Sequence, residues 1–559
     1  MNLPEELKKI ISGDVESSDE IREKYSHDAS LFEVVPEVVV FPKDTKDVQA
    51  VVNFVRENKK DQEGHSSNLS ITARSAGTCM SGGSINESII MDFTRYINKV
   101  IEVTDTHAVV EPGCFYRDFE KETLKHERIM PAYTASREIC AVGGMVANNS
   151  AGEKTIKYGK VEQYVEKLEV VFTDGNVYEV TKLTEQELTT KCAQENFEGG
   201  LYKNLKKLID DNYDTIMSAK PDVSKNSAGY FLWNVYDKKT GTFDLCRLIV
   251  GSQGTLGIVT KITFKIIPTE KYSSLLAVFL PDLKNLGNIV AEIVPFNPES
   301  IESYDDYSMK LAVKFFFDFF KQMGFWGAMR LGFSFLPETG MLITGGVPKL
   351  ILLVECGGQD EAEVKKQLGA IKEKVTHYGY KMRVAKNSQE AQKYWKIRRE
   401  SFNMLRKHVQ GKRTAPFIDD IIVKPEFLPE FLPKIEAILK EYKLIYTIAG
   451  HAGNGNFHII PLMDLETPFG ADQILEISQK VYDLVLSYKG SITAEHNDGL
   501  VRTPYLEQMY GKEIYELFTQ TKNLFDPTNI FNPGKKVALG AGLAGTKKYL
   551  HDHIIRKKK

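Results

Sequence analysis

Cysteine is scarce and never clustered. Six cysteines, Cys79, Cys114, Cys140, Cys192, Cys246 and Cys356, are spread over 559 residues with no C-x-x-C pair among them. That excludes a spelled-out iron–sulfur cluster or four-cysteine zinc site, and leaves free thiols in a reducing compartment as the expectation. Charge of one sign is lacking too. Seventy-two basic residues stand against 75 acidic ones, a net of −3, so nothing drives the chain toward nucleic acid. No apolar run reaches 18 residues, and MNLPEELKKI lacks the basic-then-apolar order of a secretory signal. A cytoplasmic protein is the expectation. No G-x-G-x-x-G opening a helix directly after a strand is found (GAGLAG, 540–545, follows a turn-rich stretch), and no helical H-E-x-x-H.

What is present has the texture of several globular domains. VVVFPKDTKDVQAVVNFVRENKK reads as a strand, a turn and an amphipathic helix starting near Thr45. SITARSAGTCMSGGSI is a strand running into a glycine-rich loop, and residues 89–113 give two more strands. Residues 115–128 read as helix. LEVVFTDG is a strand ending in an Asp-Gly turn, and 247–268 reads as a further strand pair. Past 270 the pattern is strand–helix–strand, with SSLLAVFL, PKLILLVECG and KMRVA as strands and 360–378 as a charged helix.

Three bare stretches suggest a large flat ligand. RSAGTCMSGG lets backbone N–H groups approach an anion through Ser75, Ala76, Gly77, Thr78, Cys79, Ser81 and Gly82; alone, a tight surface turn explains it equally well. AVGGMVANNSAG adds Gly143, Gly144, Asn149, Ala151 and Gly152. GSQGTLGI, ending at Ile258, is the third. Together they fit a cofactor with both a pyrophosphate and planar rings.

HAGNGNFH carries a second kind of chemistry. Taking Asn454-Gly455 as a two-residue hairpin turn, His451 faces His458 across the strands, and their β-carbons lie about 4.5–5.5 Å apart. Two imidazoles at that spacing span one ion, and Glu495 in GSITAEHNDG supplies a third ligand, with zinc, manganese and iron all compatible. Neighbouring residues on a strand point opposite ways. Glu495 and His496 therefore reach one site only if a turn intervenes, and Asn497-Asp498-Gly499 offers one.

The strand-turn PEVVVFPKDTKDV, the phosphate loop, VGGMVANNSAG followed by KYG, and IVGSQGTLGIVTKITFKI resemble the FAD-binding domain of the vanillyl-alcohol-oxidase-like flavoproteins. The resemblance covers roughly 36–268. It implies noncovalent FAD, with the pyrophosphate on 75–83 and the isoalloxazine near Ser136 to Gly152. HAGNGNFH, AEHNDGLVR and LFDPTNIFNPGK, which includes Asn532, resemble the branch holding glycolate oxidase subunits, D-lactate dehydrogenases and D-2-hydroxyglutarate dehydrogenases. That implies one divalent metal ion on His451, His458 and Glu495, His496 as catalytic base, and a small D-2-hydroxy acid as substrate. Lys225, Tyr230 and Arg398, with Arg399 beside it, are the candidates for substrate contact. Two departures stand out: Asn497-Asp498 follows His496 where E-H-G is common, and Ile460 replaces a polar residue two places beyond His458.

The expected architecture is α+β. An N-terminal helical extension (1–35) precedes a two-subdomain, PCMH-type FAD-binding domain (36–268). An α/β substrate (cap) domain with an antiparallel sheet and the metal site follows (269–505). A C-terminal helical segment (506–559) packs back on the FAD domain. The aromatic, lysine-bearing stretch 310–338 reads either as a packed insertion or as an interfacial helix touching a membrane, within reach of a quinone. Oxygen, a quinone and a separate carrier protein are all open as electron acceptor, and the aromatic stretch favours a quinone or a partner surface, such as that of an iron–sulfur protein. A metal-dependent hydrolase and a non-catalytic flavin subunit are the competing readings.

Overall fold

The computed structural model describes residues 2–59, 67–306, 347–408, 412–465, 468–540 and 542–555. The stretch 310–338, with its two readings, lies outside them.

Three strands, Val38–Phe41, Ile89–Asp92 and Ile71–Arg74, form a parallel core in that spatial order. The first two are buried along their whole length, as parallel strands covered on both faces must be. Helix Thr45–Asn58 provides the crossover. Asp44 caps it by accepting the Lys46 and Asp47 amides, and Val48, Val51, Val52 and Val55 form its buried stripe. Residues 14–16 of the expected helical extension do not stand apart: they add an antiparallel edge strand beside Val38–Phe41. The parallel strand Ile71–Arg74 delivers the chain directly into the 75–83 loop.

A seven-stranded sheet follows, antiparallel throughout. Its strand Ile258–Lys265 alternates buried and half-buried residues, the period of a sheet with one face on the core. The strand pair expected over 247–268 is only half present. Asp244 Oδ1 accepts the Cys246 amide, which starts a helical turn, Cys246–Ile249, where an extended segment was expected.

The second half is built on one large antiparallel sheet. Its main order is Lys381–Val384, Tyr272–Leu280, Leu350–Gly358, Ser300–Asp305, Ile445–His451, Asn456–Met463, Arg413–Thr414. Strand Tyr272–Leu280 divides its side chains by parity. Leu276, Val278 and Leu280 join the core with helices such as Leu286–Ile293 and Glu361–Val375, while Leu275, Ala277 and Phe279 meet Tyr394 and Trp395 of helix Ser388–His408. The chain then returns to its first half. After helix Leu506–Phe525, the Ile71 amide donates to the Ile530 carbonyl at 2.7 Å and the Asn532 amide to the Ile71 carbonyl at 2.9 Å.

Candidate active site

The hairpin carrying the two histidines differs from the register the sequence suggests. Residues 452–454 form a 3-10 turn and Gly455 closes it at φ +75°, so four residues connect the strands instead of two. A β-carbon on Gly455 would sit 1.9 Å from the Val423 carbonyl oxygen, so no other residue fits there. His451 therefore pairs with Asn456, and His458 with Ala449. The two histidines are not opposed but diagonal. Ala449 and His451 are two residues apart and share a face, so His458 still points to His451's side of the sheet. Their Nε2 atoms are 3.2 Å apart.

Glu495 and His496 arrive on a loop held by one carboxylate. Asp420, itself at φ +73°, accepts at Oδ2 from Thr493 Oγ1 (2.6 Å) and from the amides of Ala494 (2.9 Å), Glu495 (2.8 Å) and His496 (2.7 Å). Asn497 then adopts φ +66°, the turn that lets both neighbours face the site. Glu495 Oε1 lies 3.0 Å from His451 Nε2 and also pairs with the Lys225 ammonium.

Each ring is oriented from behind. His451 Nδ1 meets Glu302 Oε1 at 2.6 Å, His458 Nδ1 meets Asp419 Oδ1 at 3.0 Å, and His496 Nδ1 meets Asp419 Oδ2 at 2.7 Å. His458 and His496 stack with centroids 5.1 Å apart. With the Nδ1–H of His451 donated to Glu302 and that of His458 to Asp419, the Nε2 lone pairs of His451 and His458 converge with Glu495 Oε1. Three acceptors aimed at one point repel one another unless a positive charge lies between them. Two imidazoles and a carboxylate at that point are a donor set for zinc, manganese or iron, so the residues fit a divalent cation. Asp420, His458, Glu495 and His496 also offer ligand atoms within 4.8 Å of one another. Asp420 Oδ2 is saturated by its four donors, which assigns that residue to holding the loop.

The charges respond as this crowding requires. Burial opposes protonation of His496, but Asp419 and Asp420 outweigh it and hold the imidazole up at about 9. His451 is likewise raised against burial, chiefly by Glu302. Glu495 is held well below the usual carboxylate range despite burial, by Lys225 first and His451 next.

A single cavity of about 1070 Å³ joins this cluster to the glycine loops. It is lined by Ser75, Ala76, Gly77, Thr78 and Cys79 from the first loop, and by Ser136, Gly143, Gly144, Ala151 and Gly152 from the second. Arg398, Arg399, His451, His458, Glu495 and His496 line it from the other half of the chain. Gly143 and Gly144 sit in the first turn of helix Val142–Asn148. A β-carbon at Gly144 would meet nothing nearer than Ser75 Cβ at 4.0 Å, so bare backbone faces the open space. The volume slightly exceeds the usual range of about 300–1000 Å³ for ligand cavities, and the bare backbone fits an extended dinucleotide such as FAD.

Most of the remaining sequence candidates stand behind the lining. Ser81 Oγ donates to the His496 carbonyl at 3.1 Å, tying the first glycine loop to the His496 loop. Gly82, at φ +77°, packs on Phe32, and Asn149, at φ +50°, caps its helix and bonds Glu162. Ile258 is buried in its strand. Asn532 Nδ2 donates to the carbonyls of Gly83 and Gln253, and its Oδ1 accepts from Thr72. Tyr230 is a core residue whose hydroxyl meets Thr255 Oγ1 at 2.6 Å. Lys225 contacts Glu495 and does not line the cavity. Arg398 lines it while pairing with Glu302 at 2.7 Å, and Arg399 makes a two-pronged pair with Glu153 at 2.9 and 2.6 Å. Sequence reasoning missed Glu302, Asp419 and Asp420. The adjacent acids in PFIDDII, between apolar residues, are the one local signal that they are buried for a purpose.

Comparison with known proteins bears on both halves of the cavity. The family described as FAD binding domain matches residues 36–181, and FAD linked oxidases, C-terminal domain, matches residues 269–536. D-2-hydroxyglutarate dehydrogenase of Pseudomonas putida is 26% identical over 551 residues, which is 96% of this chain and 52% of that protein. D-lactate dehydrogenase of Archaeoglobus fulgidus is 25% identical over 505 residues, 89% of this chain and 91% of that one. The chain thus spans about half the length of the D-2-hydroxyglutarate dehydrogenases of Pseudomonas putida and Escherichia coli that it matches. The structure of 4-ethylphenol oxidase from Gulosibacter chungangensis covers 96% of this chain and 97% of its own with a TM-score of 0.68 at 16% identity, and so shares the fold. With both domains matched in tandem and folded around one cavity, the chain belongs to the FAD-linked oxidases, and it is similar to dehydrogenases of D-2-hydroxyglutarate and D-lactate among them.

Proposed function

We propose that the protein oxidises a small D-2-hydroxy acid, such as D-lactate or glycolate, to the 2-oxo acid, using noncovalent FAD and one divalent metal ion. A quinone or a carrier protein then takes the electrons. The observation that carries this reading is the shared cavity: the glycine loops and the His451–His458–Glu495 cluster line the same space.

His451, His458 and Glu495 hold the cation. A divalent ion held there would supply positive charge that lowers the pKa of the substrate hydroxyl and favours neutral His496, and FAD would supply the hydride acceptor. His496 Nε2 takes the hydroxyl proton, because the Asp419 carboxylate 2.7 Å from Nδ1 favours the ring's own proton on that side and leaves the lone pair on Nε2. Arg398 and Arg399 bring positive charge to the cavity wall for the substrate carboxylate. Lys225 offsets Glu495 from the buried side, so that carboxylate stays ionised and able to ligate.

The purified protein is tested by its colour. Anaerobic addition of D-lactate, glycolate, D-2-hydroxyglutarate and longer D-2-hydroxy acids should bleach the flavin absorbance with at least one of them, and chelator treatment should abolish the bleaching. A flavin that stays oxidised across the whole panel would overturn the reading.

A further inference from the structure

The strand Ser300–Asp305 runs beside the metal hairpin, and its pairing sets one contact. Ser303 pairs with Gly450 and Tyr304 with Ala449, so the next antiparallel pair along is Glu302 and His451. Directly opposed side chains share a face. Glu302 is 1% exposed and does not line the cavity. Its two oxygens are divided. Oε1 meets His451 Nδ1 at 2.6 Å in a hydrogen bond, and Oε2 lies 2.7 Å from the Arg398 guanidinium as an ion pair whose N–H is not aligned on it. His451 and Arg398 both do line the cavity, and they come from elements 53 residues apart (451 − 398).

We infer that Glu302 is a positioning residue that sets the metal ligand His451 and the carboxylate-binding Arg398 in one geometry, so that cation binding and substrate-carboxylate binding rest on the same buried side chain. The inference rests on the function proposed above. Its physical basis is separate: a carboxylate behind a ligating imidazole fixes the tautomer and raises ligand basicity, and loss of such a partner costs about 10–100-fold in metal affinity. The same carboxylate aims a guanidinium that would otherwise choose among rotamers. One buried anion serving both explains why it stands out of the ligand's reach. Glu153 is the natural comparison, since it pairs with Arg399 and with neither histidine.

The test uses the FAD-loaded full chain stripped of metal, in wild type, Glu302→Gln and Glu153→Gln forms. Zinc or manganese affinity is read by competition with a chromophoric chelator, and KM and kcat are read for the acid that bleaches the flavin. Glu302→Gln should bind the metal about 10–100-fold more weakly and should also raise KM, measured at saturating metal. Glu153→Gln should leave metal affinity at the wild-type value. Thermal unfolding and the flavin spectrum identify a variant that has misfolded, and Glu302→Asp, which keeps the charge on a shorter arm, should then recover part of the metal affinity. Wild-type metal affinity in a folded Glu302→Gln, or equal losses in both variants, would overturn the inference. If the wild type itself binds no divalent metal, the proposed function fails first.

Discussion

At the scale of the residue, the site is organised by buried carboxylates that stand behind its histidines. Asp419 is fully buried, and its two oxygens are shared between His458 and His496. Although burial alone would raise its pKa, the two imidazoles, His496 foremost, hold it far below the usual carboxylate range. Asp419→Asn keeps the shape but offers one acceptor and one donor where two N–H groups arrive, so one ring must change tautomer or turn. We expect kcat to fall by about 10²-fold or more, with the flavin spectrum retained, in a steady-state assay. The four residues that face the ligand were legible in the sequence because HAGNGNFH and AEHNDG place them in short motifs. Glu302 was not, because it lies 149 residues from His451 and only sheet registration brings it there. Asp419 sits 39 residues before His458 and 77 residues before His496 (496 − 419), too far for any local spacing rule.

At the scale of the element, strand Leu350–Gly358 shows how a sheet built for packing also carries polar groups to a domain boundary. Its first five residues, Leu350, Ile351, Leu352, Leu353 and Val354, are all buried, and then comes Glu355. Burial pushes this carboxyl up to about 7, aided by Glu299 and Glu153 and opposed by Lys154. The folded protein thus holds a proton there that the unfolded chain, near 4.5, releases. The contribution is fully present below the unfolded value and is lost as pH rises through about 7. Glu355→Gln should therefore gain in melting temperature relative to wild type between about pH 5 and pH 8, and parallel thermal melts across that window read it. Equal pH slopes for the two proteins would rule it out. Elements of this kind were legible from period and length. The hairpin register was not, because an Asn-Gly pair signals a two-residue turn, whereas the carbonyl of Val423 pressing on Gly455 reflects a tertiary contact that selects a four-residue one.

At the scale of the whole molecule, the two halves are joined by ions at the front and by backbone behind. In front, the segment just after the second glycine loop reaches the large sheet through Glu153 to Arg399, Lys154 to Glu299 at 2.9 Å and Lys157 to Glu270 at 2.8 Å. Behind, the returning chain pairs with Ile71, and Asn532 fastens three pieces of the FAD-binding half at once: strand residue Thr72, Gly83 at the end of the first glycine loop, and Gln253 in the third. The sequence marked Asn532 by motif as a cofactor contact. In the structure it stands outside the cavity lining and holds the frame of the first loop. Asn532→Ala leaves the carbonyls of Gly83 and Gln253 without their donor inside the protein, a desolvation cost of about 1–3 kcal/mol. Because that cost falls on the frame of the first loop, FAD affinity should drop by about tenfold, one decade for each 1.4 kcal/mol lost from the bound state. Fluorescence titration of the flavin-free protein with FAD reads this directly. If the variant binds FAD as the wild type does while its melting temperature falls, Asn532 serves the fold alone, and the first loop is held in place by the edges of its own sheet.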